Sequence, residues 1–115
     1  MGKLTSHVLD VAAGTPAAGL RIELHELTPA PRILAEVRTN QDGRCGALLE
    51  GTSMHAGRFS LTFHVAEYFR AKSVELPEPP FFDEVVVRFG IADPVQNYHV
   101  PLIVSPWSYS TYRGS

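Results

Sequence analysis

The sequence predicts an all-β fold, a sandwich of two sheets accompanied by one short helix. Three observations lead to this prediction. Apolar and polar residues alternate with a period of two through several runs, turn residues separate those runs at short intervals, and a single segment has a helical composition. The chain has 115 residues, of which 44% are hydrophobic and 19% charged, so it can bury a core without disulfide bonds. We therefore expect one domain over residues 1–115.

The predicted strands are the runs in which alternate residues are apolar. The clearest example is the run 58–65, where the odd-numbered residues are apolar and the even-numbered residues are polar. This pattern is typical of an antiparallel strand with one face on the core and one face in water. The predicted strands are residues 4–11, 20–27, 33–38, 58–65, 85–91, 98–104 and 108–112.

The segment 66–72, with the sequence AEYFRAK, is the one that breaks the alternation. It contains good helix formers and neither glycine nor proline, so it predicts a single short helix directly after a strand. Turn residues such as Gly, Pro, Asn and Asp punctuate the rest of the chain. They are found at residues 14–16, 28–29, 42–43, 55–57 and 77–80.

Charge and cysteine content exclude several classes of protein. Ten basic side chains against twelve acidic ones leave a net charge of -2, and the basic residues are scattered. A nucleic-acid-binding protein would show a basic stripe, so no nucleic-acid partner is expected. Cys45 is the only cysteine, which excludes an intramolecular disulfide and a cysteine-based zinc or iron–sulfur centre. We interpret Cys45 as a small packing residue.

Residues 94–112 carry no charged side chain, yet they do not predict a membrane span. Three prolines and several polar residues interrupt this stretch, and no signal peptide precedes it, so we expect a cytoplasmic protein without a membrane partner. The stretch also contains Trp107, Tyr109 and Tyr112. Aromatic, charge-free surfaces are typical of subunit interfaces as well as of cores, and composition does not separate the two.

Histidines are the main candidates for chemistry, because the sequence lacks a phosphate-binding glycine loop and the HExxH, CxxC and GxSxG motifs. His25 and His64 fall on polar strand faces and are expected to be solvated, while His55 lies in a loop. His7 and His99 fall on mostly apolar faces. Each of these two is by itself more typical of a partly buried histidine than of a catalytic one, and periodicity does not show whether they meet.

Four segments resemble a known family. The run 99–115, HVPLIVSPWSYSTYRGS, is similar to the closing signature of 5-hydroxyisourate hydrolases, which are transthyretin-related enzymes of urate breakdown. The run 4–20, LTSHVLDVAAGTPAAGL, resembles their opening signature. The turn at 42–44 and the AEYF segment at 66–69 lie where the family has them. The closing YRGS is the most specific of these elements.

The resemblance implies a transthyretin-like sandwich of two four-stranded sheets, assembled as a homotetramer with its sites at the interface between two dimers. It implies hydrolysis of the lactam C–N bond of 5-hydroxyisourate to 2-oxo-4-hydroxy-4-carboxy-5-ureidoimidazoline, with no metal and no organic cofactor. The catalytic residues implied are His7, Arg44, His99 and Ser115, and the implied substrate-binding residues are Tyr112, Arg113 and Gly114.

These residue types suit the hydrolysis of a cyclic amide. Neutral histidine, with a pKa near 6.5, can take a proton from water at neutral pH. The tetrahedral intermediate carries an oxyanion that a fixed guanidinium such as that of Arg44 can stabilise, and its planar fork also fits ring carbonyls. Ser115 could hydrogen-bond the substrate or the attacking water.

Two other classes of function remain open on the sequence. Transthyretin shares the implied fold and carries small hydrophobic ligands, so a carrier protein is the main alternative, although the YRGS ending favours the enzyme. A structural or adhesive sandwich module is the second, and it would leave the two histidines on apolar faces without a role. A histidine metal site is less favoured, because no carboxylate lies at a ligand-like spacing beside His7 or His99.

Overall fold

Two β-sheets enclose an apolar core in the computed structural model, which describes residues 2–115. A single α-helix, α1 (Val65–Ala71), and a short 3-10 turn at Gly51–Ser53 accompany them. The strands are β1 (Lys3–Asp10), β2 (Thr15–Pro16), β3 (Arg21–Glu26), β4 (Arg32–Arg38), β5 (Leu49–Glu50), β6 (Gly57–Phe63), β7 (Val85–Ile91), β8 (Tyr98–Val104) and β9 (Tyr109–Thr111). The predicted sandwich with one short helix is confirmed, and the predicted bounds of β7 and β8 match the observed ones.

The first sheet has the order β2-β1-β8-β9. Strand β5 lies on the same edge of β1 as β2, and the two pair with opposite ends of that edge. The resemblance implied four strands here, and the fifth is the two-residue β5. The second sheet has the order β4-β3-β6-β7 and is antiparallel throughout. In the first sheet β1 and β8 run parallel, although they lie at opposite ends of the chain. This pairing decides which residues can meet on the outward face of that sheet.

Strand β1 shows how alternation separates core from surface. Leu4, Val8 and Asp10 are buried between the sheets, while Thr5 and His7 are half-buried on the outward face. The side chains of successive residues in a strand point to opposite faces, so this burial pattern follows directly from the pleat. The histidine at position 7 therefore lies outside the core.

Strand β6 departs from the expectation that its polar face is solvated. Ser60 and Thr62 are buried, and so is His64, which is only 9% exposed. Because β6 is a central strand, the longer side chains of its neighbours cover it; Thr62 pairs with Glu23 on β3. The expectation that His64 is solvated was wrong, since its Nε2 lies 2.5 Å from a Glu23 carboxylate oxygen.

Helix α1 is held on the first sheet by a buried polar contact. A helix of 7 residues has little stability by itself and depends on the side chains it buries. Tyr68 and Phe69 are among those side chains, and the Tyr68 hydroxyl donates to a carboxylate oxygen of Asp10 over 2.8 Å. Burial and this hydrogen bond raise the pKa of Tyr68. Among residues 2–115, no helix has the length and apolar character needed to cross a bilayer.

Candidate active site

Parallel pairing of β1 with β8 brings His7 and His99 onto one face. Thr5 pairs with His99 and His7 with Pro101, so the two imidazoles are diagonal neighbours on the outward side of the first sheet. Both histidines are half-buried. Their sequence separation is large, and this strand pair is what brings them together.

Arg44 reaches the same face because its backbone lies along the edge of β1. Arg44 forms an isolated antiparallel bridge with His7, and the amide of Val8 donates to the carbonyl of Gly43 over 2.9 Å. Gly43 has a φ of 76°, and a Cβ there would lie 2.4 Å from the Val8 carbonyl oxygen. Only glycine allows so close an approach, so Gly43 fixes the position of Arg44 next to His7.

The tautomer of His7 follows from its partner. Its Nε2 lies 2.8 Å from the backbone carbonyl of Asp42, and a carbonyl oxygen can only accept. Nε2 therefore carries a hydrogen, and in the neutral ring Nδ1 holds the free lone pair. The turn that supplies the carbonyl is itself held by Asn40, whose side-chain oxygen accepts the amides of Asp42 and Arg44.

His99 is held by Thr5 and kept neutral by its surroundings. Its Nδ1 lies 2.8 Å from the Thr5 hydroxyl oxygen. Burial lowers the pKa of His99, and the nearby charges of Arg44 and His7 lower it further. The influence of Arg44 and His7 on His99 indicates that the three side chains form one electrostatic unit. A neutral imidazole at neutral pH is the form that can accept a proton.

The last residues of the chain lie against His99. Gly114 and His99 form an isolated bridge in which each donates its amide to the carbonyl of the other, over 2.7 and 3.3 Å. A Cβ on Gly114 would lie 3.0 Å from the His99 ring, so glycine suits this contact. Ser115 follows directly and is exposed. The structure thus brings together His7, Arg44, His99 and the segment that leads to Ser115.

Two predicted substrate-binding side chains point elsewhere in the protomer. The Arg113 guanidinium lies above the ring of Tyr98. Tyr112 is exposed and, like Arg113, borders an apolar cleft of about 310 Å³ between strands β7 and β9. Substrate binding by these two residues stays a prediction.

Sequence reasoning did not single out Thr5 and Asn40. Thr5 binds the His99 ring, and Asn40 binds the turn that carries Arg44. Thr5 lies on the same face of β1 as His7, and this shared face is the signal that could have identified it. Asn40 precedes the predicted turn at 42–43, and asparagine commonly accepts backbone amides in turns. The partners of both residues depend on tertiary contacts.

The other reactive side chains do not join this site. His25 and His64 lie near Glu23 on the second sheet, and His55 binds Glu26. Cys45 is half-buried, and burial raises the pKa of its thiol, which favours the unreactive protonated form. Within residues 2–115, no three His, Cys, Asp or Glu side chains come together in a way that could hold a metal ion.

Comparison with known proteins places this geometry in a family. Residues 4–114 match the family described as HIUase/Transthyretin. A 5-hydroxyisourate hydrolase from Ralstonia nicotianae is 57% identical, and the match covers 100% of both chains. The solved structure of a Klebsiella pneumoniae 5-hydroxyisourate hydrolase superposes with a TM-score of 0.84 at 31% identity, again over 100% of both chains. A crystal structure of (S)-allantoin synthase superposes with a TM-score of 0.95 at 47% identity; the match covers 99% of this chain and 44% of the length of that one.

Proposed function

The chain belongs to the HIUase/Transthyretin family, and we propose that it hydrolyses the lactam of 5-hydroxyisourate. Water adds to the lactam carbonyl, the C–N bond breaks, and the product is 2-oxo-4-hydroxy-4-carboxy-5-ureidoimidazoline. The single observation that carries this proposal is the meeting of His7, His99 and Arg44 on one sheet face, with the chain end beside them. A carrier protein would need no such combination of a base and a fixed cation.

The roles follow from the chemistry of each group. A neutral imidazole of His7 or His99 takes a proton from the attacking water and later gives it to the leaving nitrogen. Arg44 stabilises the oxyanion of the tetrahedral intermediate. The Nε2 of His7 donates to the Asp42 carbonyl, so in the neutral ring the lone pair on its Nδ1 is free for proton transfer. Ser115 hydrogen-bonds the substrate or the water from the chain end.

Direct turnover tests the reaction. 5-Hydroxyisourate generated from urate by urate oxidase decays with a change in ultraviolet absorbance, and the protein should accelerate that decay. Retention of 5-hydroxyisourate or of a hydrophobic ligand without acceleration would instead support the carrier function.

Assembly into a homotetramer, with sites at the interface between two dimers, is part of the proposal. In one protomer the site is an open surface, since Arg44 and Ser115 are both exposed. Strong electrostatic stabilisation of a transition state requires that water be excluded, and a facing subunit would exclude it. The exposed aromatic side chains Trp107, Tyr109 and Tyr112, near the unpaired edge of β9, support this assembly.

Native mass spectrometry and light scattering test the assembly. A stable interface buries about 1,200–2,000 Å² in total, so the tetramer should persist at micromolar concentration. A mass of 12.6 kDa under these conditions would contradict it. A cytoplasmic location belongs to the same proposal and is tested by fractionation of cells that produce the protein.

A further inference from the structure

The Arg113 side chain makes three contacts within its own protomer. Its guanidinium carbon lies 4.3 Å from the centre of the Tyr98 ring, a distance at which a cation is attracted to an aromatic face. Its Nη2 donates to the Gln96 side-chain oxygen over 3.1 Å and to the Asn97 carbonyl over 2.8 Å. One planar group thus stacks on a ring and binds two acceptors, an arrangement that suits arginine better than lysine.

The Tyr98 ring beneath Arg113 is buried and hydrogen-bonded. Tyr98 is only 7% exposed. Its hydroxyl oxygen accepts the backbone amides of Ala92 and Asp93, over 3.2 and 3.1 Å. These contacts hold the ring at its outer end, while β8 holds the backbone. A cation placed on this ring is therefore held at a defined position relative to β8 and to His99, the next residue.

The loop that binds Arg113 is also fixed from the other end of the chain. The amide of Gly2 donates to the carbonyl of Pro94 over 3.0 Å, and the amide of Lys3 donates to the Asn97 side-chain oxygen over 3.1 Å. Asn97 thus accepts a hydrogen bond from Lys3 of β1 with its side-chain oxygen, and it accepts one from Arg113 with its backbone carbonyl. Because β1 is part of the first sheet, these two hydrogen bonds link the loop to that sheet.

Little else holds the end of the chain within the protomer. Strand β9 ends at Thr111, and Tyr112 is 60% exposed. Beyond that point the backbone is paired to the sheet by the isolated bridge between Gly114 and His99. Terminal segments with so few contacts fray unless a side chain ties them down.

We infer that Arg113 is a positioning residue, which keeps Gly114 and Ser115 against His99 by binding the Tyr98 ring and the 96–97 loop. This inference rests on the proposed hydrolysis, and it gives Arg113 a role different from direct contact with the substrate. The guanidinium acts through the chain end: its loss releases Ser115 from the site, although the guanidinium itself touches none of the reacting atoms.

Two variants and one control test the inference in the full chain. Arg113→Ala removes the stack and both hydrogen bonds, whereas Arg113→Lys keeps the charge and loses the planar fork. Arg58→Ala, an exposed arginine on β6 of the other sheet, is the matched control. Amide hydrogen exchange of Gly114, read by mass spectrometry of the C-terminal peptide, reports release of the chain end independently of activity.

We expect Gly114 to exchange at least about tenfold faster in Arg113→Ala than in the parent, with Arg113→Lys between them and Arg58→Ala unchanged. The activity kcat/KM should fall in the same order. Deletion of Ser115 should lower kcat/KM strongly in the parent chain but little in Arg113→Ala, because in that variant Ser115 has already left the site.

Two results would overturn the inference. If Arg113→Ala lowers kcat/KM while Gly114 exchange stays at the parent rate, the guanidinium contacts the substrate directly. If Gly114 exchange and kcat/KM both stay unchanged, the chain end needs no anchor. The proposed hydrolysis fails separately, since a parent chain without turnover would contradict it whatever the exchange rates show.

Discussion

The outward faces of both sheets carry histidine and arginine, but the partners of the histidines differ. They are carboxylates on the second sheet and neutral groups on the first. On the second sheet, Arg21 forms ion pairs with Glu36 and Glu67, each over 3.0 Å, and the Nε2 of His64 binds Glu23. The hydrogen bonds to Glu67 and Glu36 raise the pKa of Arg21, and the bond from Arg21 lowers the pKa of Glu67. Arg21, Glu36 and Glu67 each have an opposite charge as a partner.

On the first sheet the histidines bind neutral groups. His7 donates to the backbone carbonyl of Asp42, and His99 binds the hydroxyl of Thr5. Arg44 is the nearby cation, and its charge adds to burial, the larger cause, in lowering the pKa of His99. Burial and a nearby cation favour the neutral form of His99, which can accept a proton at neutral pH. The comparison therefore supports assigning the proposed proton transfer to the first sheet.

The largest effect that follows from this comparison is on turnover. His7→Ala and His99→Ala should each lower kcat by about 10²-fold or more, because each removes an imidazole that can exchange protons with water or substrate. His25→Ala, from the other face, is the matched control and should retain the parent kcat. Initial rates on freshly generated 5-hydroxyisourate measure both. An equal loss in His25→Ala would mean that the two faces have been assigned the wrong roles.

The next largest effect on activity is expected for Arg44→Lys. Lysine keeps the positive charge and loses the planar fork, so kcat/KM should fall by about tenfold or more if the fork holds the ring carbonyls of the substrate. Arg58→Lys on the second sheet provides the comparison and should be neutral. Full activity in Arg44→Lys would show that a point charge is sufficient at this position.

The protonation of His99 gives a smaller and more specific test. Its folded-state pKa lies below 6.5, so the unfolded chain binds more protons between the two values, and His99 adds stability as the pH rises through that window. The ring should titrate below pH 6.5 in an NMR titration. Arg44→Gln should raise the pKa of His99 only in part, since burial is the larger cause. No change in this variant would separate Arg44 from the site.

The smallest effect concerns His55, which resembles the histidines of the second sheet in its bonding. Its Nε2 binds Glu26 and its Nδ1 donates to the Ser53 carbonyl, and these two bonds raise the pKa of His55 above 6.5. The stabilising contribution is therefore present in full below pH 6.5 and is lost as the pH rises through the folded-state pKa. Because His55 is partly exposed, although Glu26 is buried, we expect a Tm decrease of about 1–4 °C in His55→Gln at pH 5.5, and less at pH 8.5.

The control for the His55 prediction is the pH dependence itself. A Tm difference between parent and His55→Gln that is the same at both pH values would show that packing, and not the charged hydrogen bond, accounts for the effect. Activity should not change in this variant, because His55 lies away from His7 and His99.

Local pattern alone determined most of the secondary structure of this protein. The bounds of β7 and β8 follow from alternation, since a strand that buries one face must be apolar at every second residue. The same reasoning placed His7 and His99 on mostly apolar strand faces with few charges. The choice of Arg44, Ser115 and the chain end came from the resemblance to a family, because nothing in their spacing relates them to the histidines.

Only the tertiary structure decided how these residues meet. The contact of Thr5 with His99 joins residues 94 positions apart, through a parallel pairing that local alternation does not encode. The same limit explains the wrong expectation for His64, since its burial depends on the side chains of neighbouring strands. A period of two tells which face of a strand a residue occupies. What covers that face depends on strand order, which is set by how the whole chain packs.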